Sequence, residues 1–133
     1  MSREKTALVV DDEDDVRILL TFFLEKEGWR VIEAEDGDHA MAKAINQHPD
    51  VIFLDVFMPD RNGFEVYKDI REDFRTAHIP VIFVTAINDM VLGQQHTPET
   101  LAASLGVPAP EAFIEKPFNT DEVLHALNMV FHH

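Results

Sequence analysis

The chain has 133 residues and carries 25 acidic against 11 basic side chains, which gives a net charge of -14 with histidine neutral. A chain of this length forms one domain, so we predict a single domain over residues 1–133 with no output domain. The charge argues against direct binding to nucleic acid or to an anionic membrane, because both would repel the chain. The absence of cysteine excludes disulfides and thiolate sites.

Five short apolar runs alternate with segments of helical periodicity. Residues 7–10, 51–54 and 81–84 are continuous and rich in β-branched side chains, which is typical of parallel strands buried on both faces. The second run covers 31–34 and the fifth covers 112–114. Because strand and helix alternate along the chain, the pattern predicts an α/β sandwich with right-handed crossovers.

Four predicted helices each place apolar side chains on one face. These are Val16, Leu19, Leu20, Phe23 and Leu24; then Ala40, Ala44 and Ile45; then Phe64, Tyr67, Ile70 and Phe74; and finally Val123, Leu124, Leu127 and Phe131. Gly28 is predicted to end the first helix, and Thr120 to cap the last. Residues 87–110 contain three prolines and are predicted to be loop, apart from a short helix from about residue 98 or 99 to 105, which Gly106 ends.

Acidic and polar side chains follow the predicted strands. Asp11 and Asp12 come after the first strand, Asp55 after the third, Thr85 after the fourth and Lys116 after the fifth. The carboxyl ends of parallel strands form the ligand-binding edge of such a sheet, so we expect these groups to converge. Neighbouring carboxylates repel one another and favour a hard cation such as Mg²⁺. A carboxylate beside Mg²⁺ can attack phosphorus and form an aspartyl phosphate.

Four motifs in this order resemble the receiver domain of two-component response regulators, and in particular its stand-alone, chemotaxis-regulator-like type. They are Val-Val-Asp-Asp-Glu at 9–13, Phe-Leu-Asp-Val at 53–56 with Met58, Pro59 and Gly63, Val-Thr-Ala at 84–86, and Glu-Lys-Pro-Phe at 115–118. The resemblance covers nearly the whole chain. It implies a flavodoxin-like α/β/α fold with a five-stranded parallel sheet in the order 2-1-3-4-5.

The resemblance also implies the chemistry of the site. Asp55 would accept a phosphoryl group from the phosphohistidine of a sensor histidine kinase or of a phosphotransfer protein. Asp12, Asp55 and the backbone carbonyl of Phe57 would bind Mg²⁺ directly, and Asp11 would reach the ion through water. The chain would catalyse only its own phosphorylation and dephosphorylation, so we do not expect an enzyme.

A conformational switch is implied by three further positions. Thr85 would bond to the phosphoryl group and move on activation, and Lys116 would pair with that group. Phe113 would be the aromatic residue whose rotamer follows Thr85. The resulting change would appear on the surface around the last two helices and the fifth strand, where an unknown downstream protein would bind.

The sequence departs from the usual receiver pattern in three places. The stretch between Thr85 and Lys116 is several residues longer than usual, and Arg61 stands where many relatives have an apolar residue. Phe57 and Ile87 are apolar at two positions that are often polar and that flank the path of the attacking water. Because neither side chain can orient a water molecule, these rate-tuning positions predict a long-lived aspartyl phosphate.

Other classes of protein are less compatible with these residues. A haloacid-dehalogenase-like phosphatase also uses a strand-end aspartate with Mg²⁺, but it needs a second acid where this chain has Phe57. The glycines form no phosphate-cradling loop of a nucleotide-binding domain. A degenerate receiver acting only as an interaction module remains an alternative, against which the complete set of site residues argues.

No targeting or membrane segment stands out in the sequence. The amino terminus is charged, and the apolar run at 7–10 is too short for the core of a secretion signal. No apolar stretch approaches the ~20 residues that a membrane-spanning helix requires. We therefore expect a cytoplasmic protein without membrane binding.

Overall fold

The computed structural model describes residues 4–56, 63–86, 103 and 106–131. Its elements are β1 (Thr6–Val10), α1 (Asp14–Lys26), β2 (Arg30–Ala34), α2 (Gly37–Gln47), β3 (Val51–Asp55), α3 (Gly63–Glu72), β4 (Val81–Ala86), β5 (Ala112–Lys116) and α4 (Thr120–Phe131). All five predicted strands and four of the predicted helices are confirmed. The short helix predicted near 98–105 lies outside the described residues except for Ala103, which is helical.

The five strands form one parallel sheet in the order β2-β1-β3-β4-β5. This confirms the doubly wound architecture and the strand order that the resemblance implied. The chain reverses its direction of travel across the sheet between β1 and β3, where Asp11 follows β1 and Asp55 ends β3. Such a reversal opens a crevice at the carboxyl edge of the sheet, the usual place for a ligand in this architecture.

Two apolar cores lie on opposite faces of the sheet. One face packs against α2 and α3, and the other against α1 and α4. Alternate strand residues divide between them, so that Leu8 and Val10 join the first core while Ala7 and Val9 join the second. Because both faces are covered, the central strands are apolar throughout, which explains the continuous runs in the sequence.

Three details of the helices differ from prediction. Leu19 of α1 is 39% exposed rather than on the buried face with Leu20 and Leu24. The cap of α4 is Asn119 rather than Thr120, because the Asn119 side chain accepts a hydrogen bond from the Glu122 N–H at 2.9 Å. Glu122 Oε1 accepts in turn from the Asn119 N–H at 3.3 Å, which completes a capping box. Phe74 lies beyond the end of α3 and is 87% exposed, so the buried stripe of that helix ends at Ile70.

A buried polar network joins α3 to the segment that precedes β5. Arg71 is 4% exposed, and its guanidinium donates to the Ile79 carbonyl at 2.6 Å and to the Glu111 carboxylate. Its Nε lies 3.2 Å from the Tyr67 hydroxyl, which donates to the Pro108 carbonyl. Glu111 also accepts from the Val81 N–H at 2.7 Å. The network therefore closes the amino edge of the sheet at β4.

An aromatic cluster closes the same edge beside β2. The rings of Trp29 and Phe131 lie 5.7 Å apart between centroids, and both pack against the second core. The Lys5 ammonium lies 4.6 Å from the centroid of Phe131 and 5.7 Å from that of Trp29. Trp29 thus joins the start of β2 to the end of α4. Among the described residues, no helix has the length and apolarity needed to span a membrane.

Candidate functional site

Asp11 is fixed immediately after β1 by hydrogen bonds on both sides of its backbone. Its N–H donates to the Ala34 carbonyl at 3.1 Å, and its carbonyl accepts from Arg17 Nη1 at 2.6 Å. The carboxylate is buried, and Oδ1 accepts from the Glu13 N–H at 2.9 Å. These contacts orient the carboxylate toward the neighbouring end of β3.

Asp55 is the last residue of β3 and is buried. Gly63, the first residue of α3, lies directly behind it, and its N–H donates to the Val56 carbonyl at 3.1 Å. A Cβ atom at position 63 would lie 2.4 Å from the Asp55 carbonyl oxygen and from the Val56 Cα. Only glycine permits this approach, so Gly63 sets the position of the backbone that carries Asp55.

Lys116 brings the end of β5 to the same point. Its ammonium lies 2.9 Å from Asp11 Oδ2, 3.2 Å from Glu13 Oε1 and 3.5 Å from Asp55 Oδ2. Burial opposes the charge of the ammonium, but the carboxylates of these three residues raise the pKa of Lys116 above its usual value. The lysine is therefore charged throughout the physiological range and partly neutralises the acids around it.

The acids at this edge form a set suited to a hard cation. Asp11, Asp12, Glu13 and Asp55 offer carboxylate oxygens that all lie within 4.8 Å of one another. Burial raises the pKa of the Asp11 carboxyl group. The Glu13 N–H and Lys116 lower this pKa, but their effect is smaller than that of burial. Asp11 Oδ2 has Lys116 as an ionic partner but no aligned hydrogen-bond donor among the described residues. An oxygen-only set with excess negative charge fits Mg²⁺.

The outcome differs among the predicted site residues. The structure brings Asp11, Asp12, Asp55 and Lys116 together as expected. Thr85 lies in β4 beside Glu115 of β5, but its side chain lies outside the described part of the structure. Phe57, Arg61 and Ile87 also lie outside the described residues, so their predicted roles stay predictions.

Phe113, the predicted switch aromatic, lies in β5 opposite Phe83 of β4. It is partly buried and packs against the core formed with α2 and α3. A ring in this position is held by one core and still reaches the surface. The placement is compatible with the switch role, which stays a prediction.

Two side chains that contact the site are not predicted from the sequence. Glu13 belongs to the first motif without a predicted role, yet its carboxylate reaches Lys116. Arg17 has no predicted role, yet it binds the Asp11 carbonyl and also contacts Glu33 and Asp14. The signal for Arg17 was its place on α1 one turn after Asp14, because residues three apart on a helix are neighbours.

The chain resembles known proteins along nearly its whole length. The family model described as "Response regulator receiver domain" matches residues 7–128. The chain is 39% identical over 124 residues to "Response regulator GtcR" of Aneurinibacillus migulanus, an alignment that covers 90% of this chain and 45% of that protein. It is 33% identical over 123 residues to "Protein PilH" of Pseudomonas aeruginosa, covering 92% and 94% respectively.

A solved structure supports the same relationship. The chemotaxis protein CheY4 of Vibrio cholerae superimposes with a TM-score of 0.80 at 30% identity, covering 97% of this chain and all of that one. The chain spans less than half of the length of GtcR and more than nine tenths of PilH. Because the family model covers most of the chain and the strand order agrees, the chain belongs to the family of response regulator receiver domains.

Proposed function

We propose that Asp55 accepts a phosphoryl group from a phosphohistidine and that the chain signals through the resulting change of shape. The observation that carries this proposal is the meeting of Asp55, Lys116 and the two acids after β1 at the crevice between β1 and β3. Receiver domains are signalling domains that work with histidine kinases or phosphotransfer proteins. Membership of this family favours the proposal over the phosphatase and nucleotide-binding alternatives.

The acids at the carboxyl edge are the proposed Mg²⁺ ligands. Asp12, Asp55 and the carbonyl of Phe57 would bind directly, and Asp11 would bind through water. When bound, the ion neutralises the carboxylates and the phosphoryl oxygens that would otherwise repel one another. The surplus of acid over the single ammonium of Lys116 supports this assignment.

Phosphoryl transfer makes one bond and breaks one. A carboxylate oxygen of Asp55 attacks the phosphorus atom, and the bond between phosphorus and the donor imidazole breaks. The imidazole nitrogen leaves with the electron pair and takes a proton from solvent. Lys116 pairs with the phosphoryl oxygens, because its ammonium already lies 3.5 Å from Asp55 Oδ2. Hydrolysis then returns phosphate and the free carboxylate.

The phosphoryl donor has an apolar surface to dock on beside the site. Ile18, Leu19 and Phe22 lie exposed on α1, the helix that begins just after the acids. The donor must approach the carboxyl edge, so an adjoining apolar surface favours a protein donor that covers α1.

The conformational change that follows phosphorylation is transmitted to the surface by Thr85 and Phe113. Thr85 lies in β4 and Phe113 in β5, the outermost strand on that side of the sheet. Movement of the threonine hydroxyl toward the phosphoryl group would free space for the aromatic ring, which is a discrete repacking rather than a gradual one. The downstream partner is a protein of unknown identity, and the cytoplasm is the proposed compartment.

Intact mass after incubation with acetyl phosphate and Mg²⁺ tests the proposal. The wild-type chain should gain one phosphoryl group, and Asp55→Asn should gain none, because an amide has the shape of the carboxylate without its nucleophilicity. Asp15→Asn is the matched control, since it removes the same charge from a nearby exposed position and should be phosphorylated normally. A phosphorylated Asp55→Asn variant, or an unmodified wild-type chain, would contradict the assignment.

A further inference from the structure

Glu13 occupies the N-cap position of α1 without capping the helix. Its backbone has the extended conformation of an N-cap, with φ -88° and ψ 120°, but its side chain makes no cap hydrogen bond. Residues that cap helices well are short, such as serine and aspartate, and glutamate is not among them. The side chain therefore serves something other than the end of its own helix.

The Glu13 carboxylate turns instead toward Lys116 on the far side of the site. Its Oε1 lies 3.2 Å from the Lys116 ammonium, although the two residues are far apart in sequence. Glu13 is 60% exposed, whereas Lys116 is 13% exposed. An exposed, unbranched side chain can leave such a contact easily, because solvent can replace its partner.

The carboxylates of Asp11, Glu13 and Asp55 compete for the Lys116 ammonium. Its ammonium lies closer to Asp11 and Glu13, at 2.9 and 3.2 Å, than to Asp55, at 3.5 Å. Pairing with a phosphoryl group on Asp55 requires the ammonium to turn toward the longest of these three contacts. Any group that holds it on the side of β1 opposes that movement.

We propose that Glu13 is a positioning residue that, together with Asp11, holds the Lys116 ammonium on the β1 side of the site before phosphorylation, where its contact with Asp55 Oδ2 is the longest of the three. This inference rests on the proposed role of Asp55. Asp11 is buried and fixed by the backbone of Glu13, so it always attracts the ammonium. Glu13 is exposed and can move. The strength of its contact with Lys116 therefore sets how readily the ammonium is released to the phosphoryl group.

Glu13→Gln and Asp15→Asn form a matched pair of test variants. Each removes one negative charge near the site, and among the described residues only Glu13 of the two contacts Lys116. At Mg²⁺ concentrations that saturate each variant, Glu13→Gln should be phosphorylated by acetyl phosphate about two- to fivefold faster than Asp15→Asn. That factor corresponds to the strength of a partly exposed ion pair.

A second measurement follows the contact itself in protein without Mg²⁺. Exchange of the Lys116 ammonium protons with water, observed by NMR and assigned with Lys116→Met, should be faster in Glu13→Gln and unchanged in Asp15→Asn. Equal behaviour of the two variants in both measurements, or slower phosphorylation of Glu13→Gln, overturns the inference while the wild-type chain is phosphorylated. An unphosphorylated wild-type chain instead overturns the proposed function, and the inference with it.

Discussion

Lys116 and Arg71 are both cations with largely buried side chains, 13% and 4% exposed, and they lie at opposite edges of the sheet. Arg71, at the amino edge, meets one carboxylate, one hydroxyl and the carbonyls of the loop after α3. Lys116, at the carboxyl edge, lies among three carboxylates, and one buried oxygen there has no aligned donor within the described residues. The chain therefore satisfies its own charges at the amino edge and leaves surplus negative charge at the carboxyl edge.

The ion pair of Arg71 stabilises the fold, whereas the ion pairs of Lys116 belong to a reactive site. A buried pair stabilises only when its remaining donors and acceptors are satisfied, as those of Arg71 are. A group of like charges is retained at some loss of stability when it binds a ligand or reacts. Removing a charged side chain should therefore lower the free energy of unfolding at the amino edge, whereas removing a carboxylate at the carboxyl edge should leave it unchanged or raise it.

Arg71→Met should have the largest effect, because it removes a buried guanidinium, leaves Glu111 without its cationic partner and takes one donor from each of two carbonyls. We expect the free energy of unfolding to fall by about 3–5 kcal/mol, measured by urea denaturation. Arg75→Met is the control, since Arg75 forms an exposed pair with Asp73 and should contribute little. Similar losses in the two variants would show that the amino edge is not a structural anchor.

Gly63→Ala should destabilise the carboxyl edge through packing rather than charge. The added methyl group would meet the backbone of Asp55 and Val56, so we expect a loss of about 1–3 kcal/mol together with slower phosphorylation. Gly28→Ala is a useful comparison, because Gly28 has φ +89° and open space around it. That variant should lose stability through its backbone and keep the wild-type rate of phosphorylation.

Asp12→Ala should abolish the stabilisation that Mg²⁺ gives to the fold. Ligand binding to the native state alone adds about 1.4 kcal/mol at tenfold excess over Kd. Without Mg²⁺ the variant should be as stable as the wild type or more so, because one repelling carboxylate is gone. Thermal melts of both proteins with and without Mg²⁺ measure this, and an equal Mg²⁺ shift in the two would contradict the ligand assignment.

The smallest expected effect concerns the lifetime of the aspartyl phosphate. Phe57→Asn combined with Ile87→Glu should speed dephosphorylation about tenfold, because polar side chains can orient the attacking water. Loss of the phosphoryl group is followed by intact mass after removal of acetyl phosphate. A rate equal to that of the wild type would show that these apolar residues do not shield the phosphoryl group.

The sheet and the acids were predictable because they depend on local pattern. Buried parallel strands require continuous apolar runs, and the ends of those runs place Asp11 and Asp55 at one edge. The strand order itself came from the resemblance rather than from the runs. The four motifs also identified Lys116, which no periodicity would single out.

The polar network at the amino edge was not predictable from one sequence. Arg71 belongs to none of the four motifs, and its partner Glu111 lies 40 positions away. Their meeting depends on how α3 packs against the segment before β5, which no local pattern encodes. Phe74 was misassigned for a related reason, since the periodicity continues past the point where α3 ends.

The aromatic cluster at the amino edge has a consequence for spectroscopy. Trp29 is the only tryptophan of the chain, and it contacts Lys5 and Phe131 at the opposite edge of the sheet from Asp55. Its fluorescence therefore reports whether the start of β2 and the end of α4 are assembled. Emission from this one residue can follow unfolding without added dye.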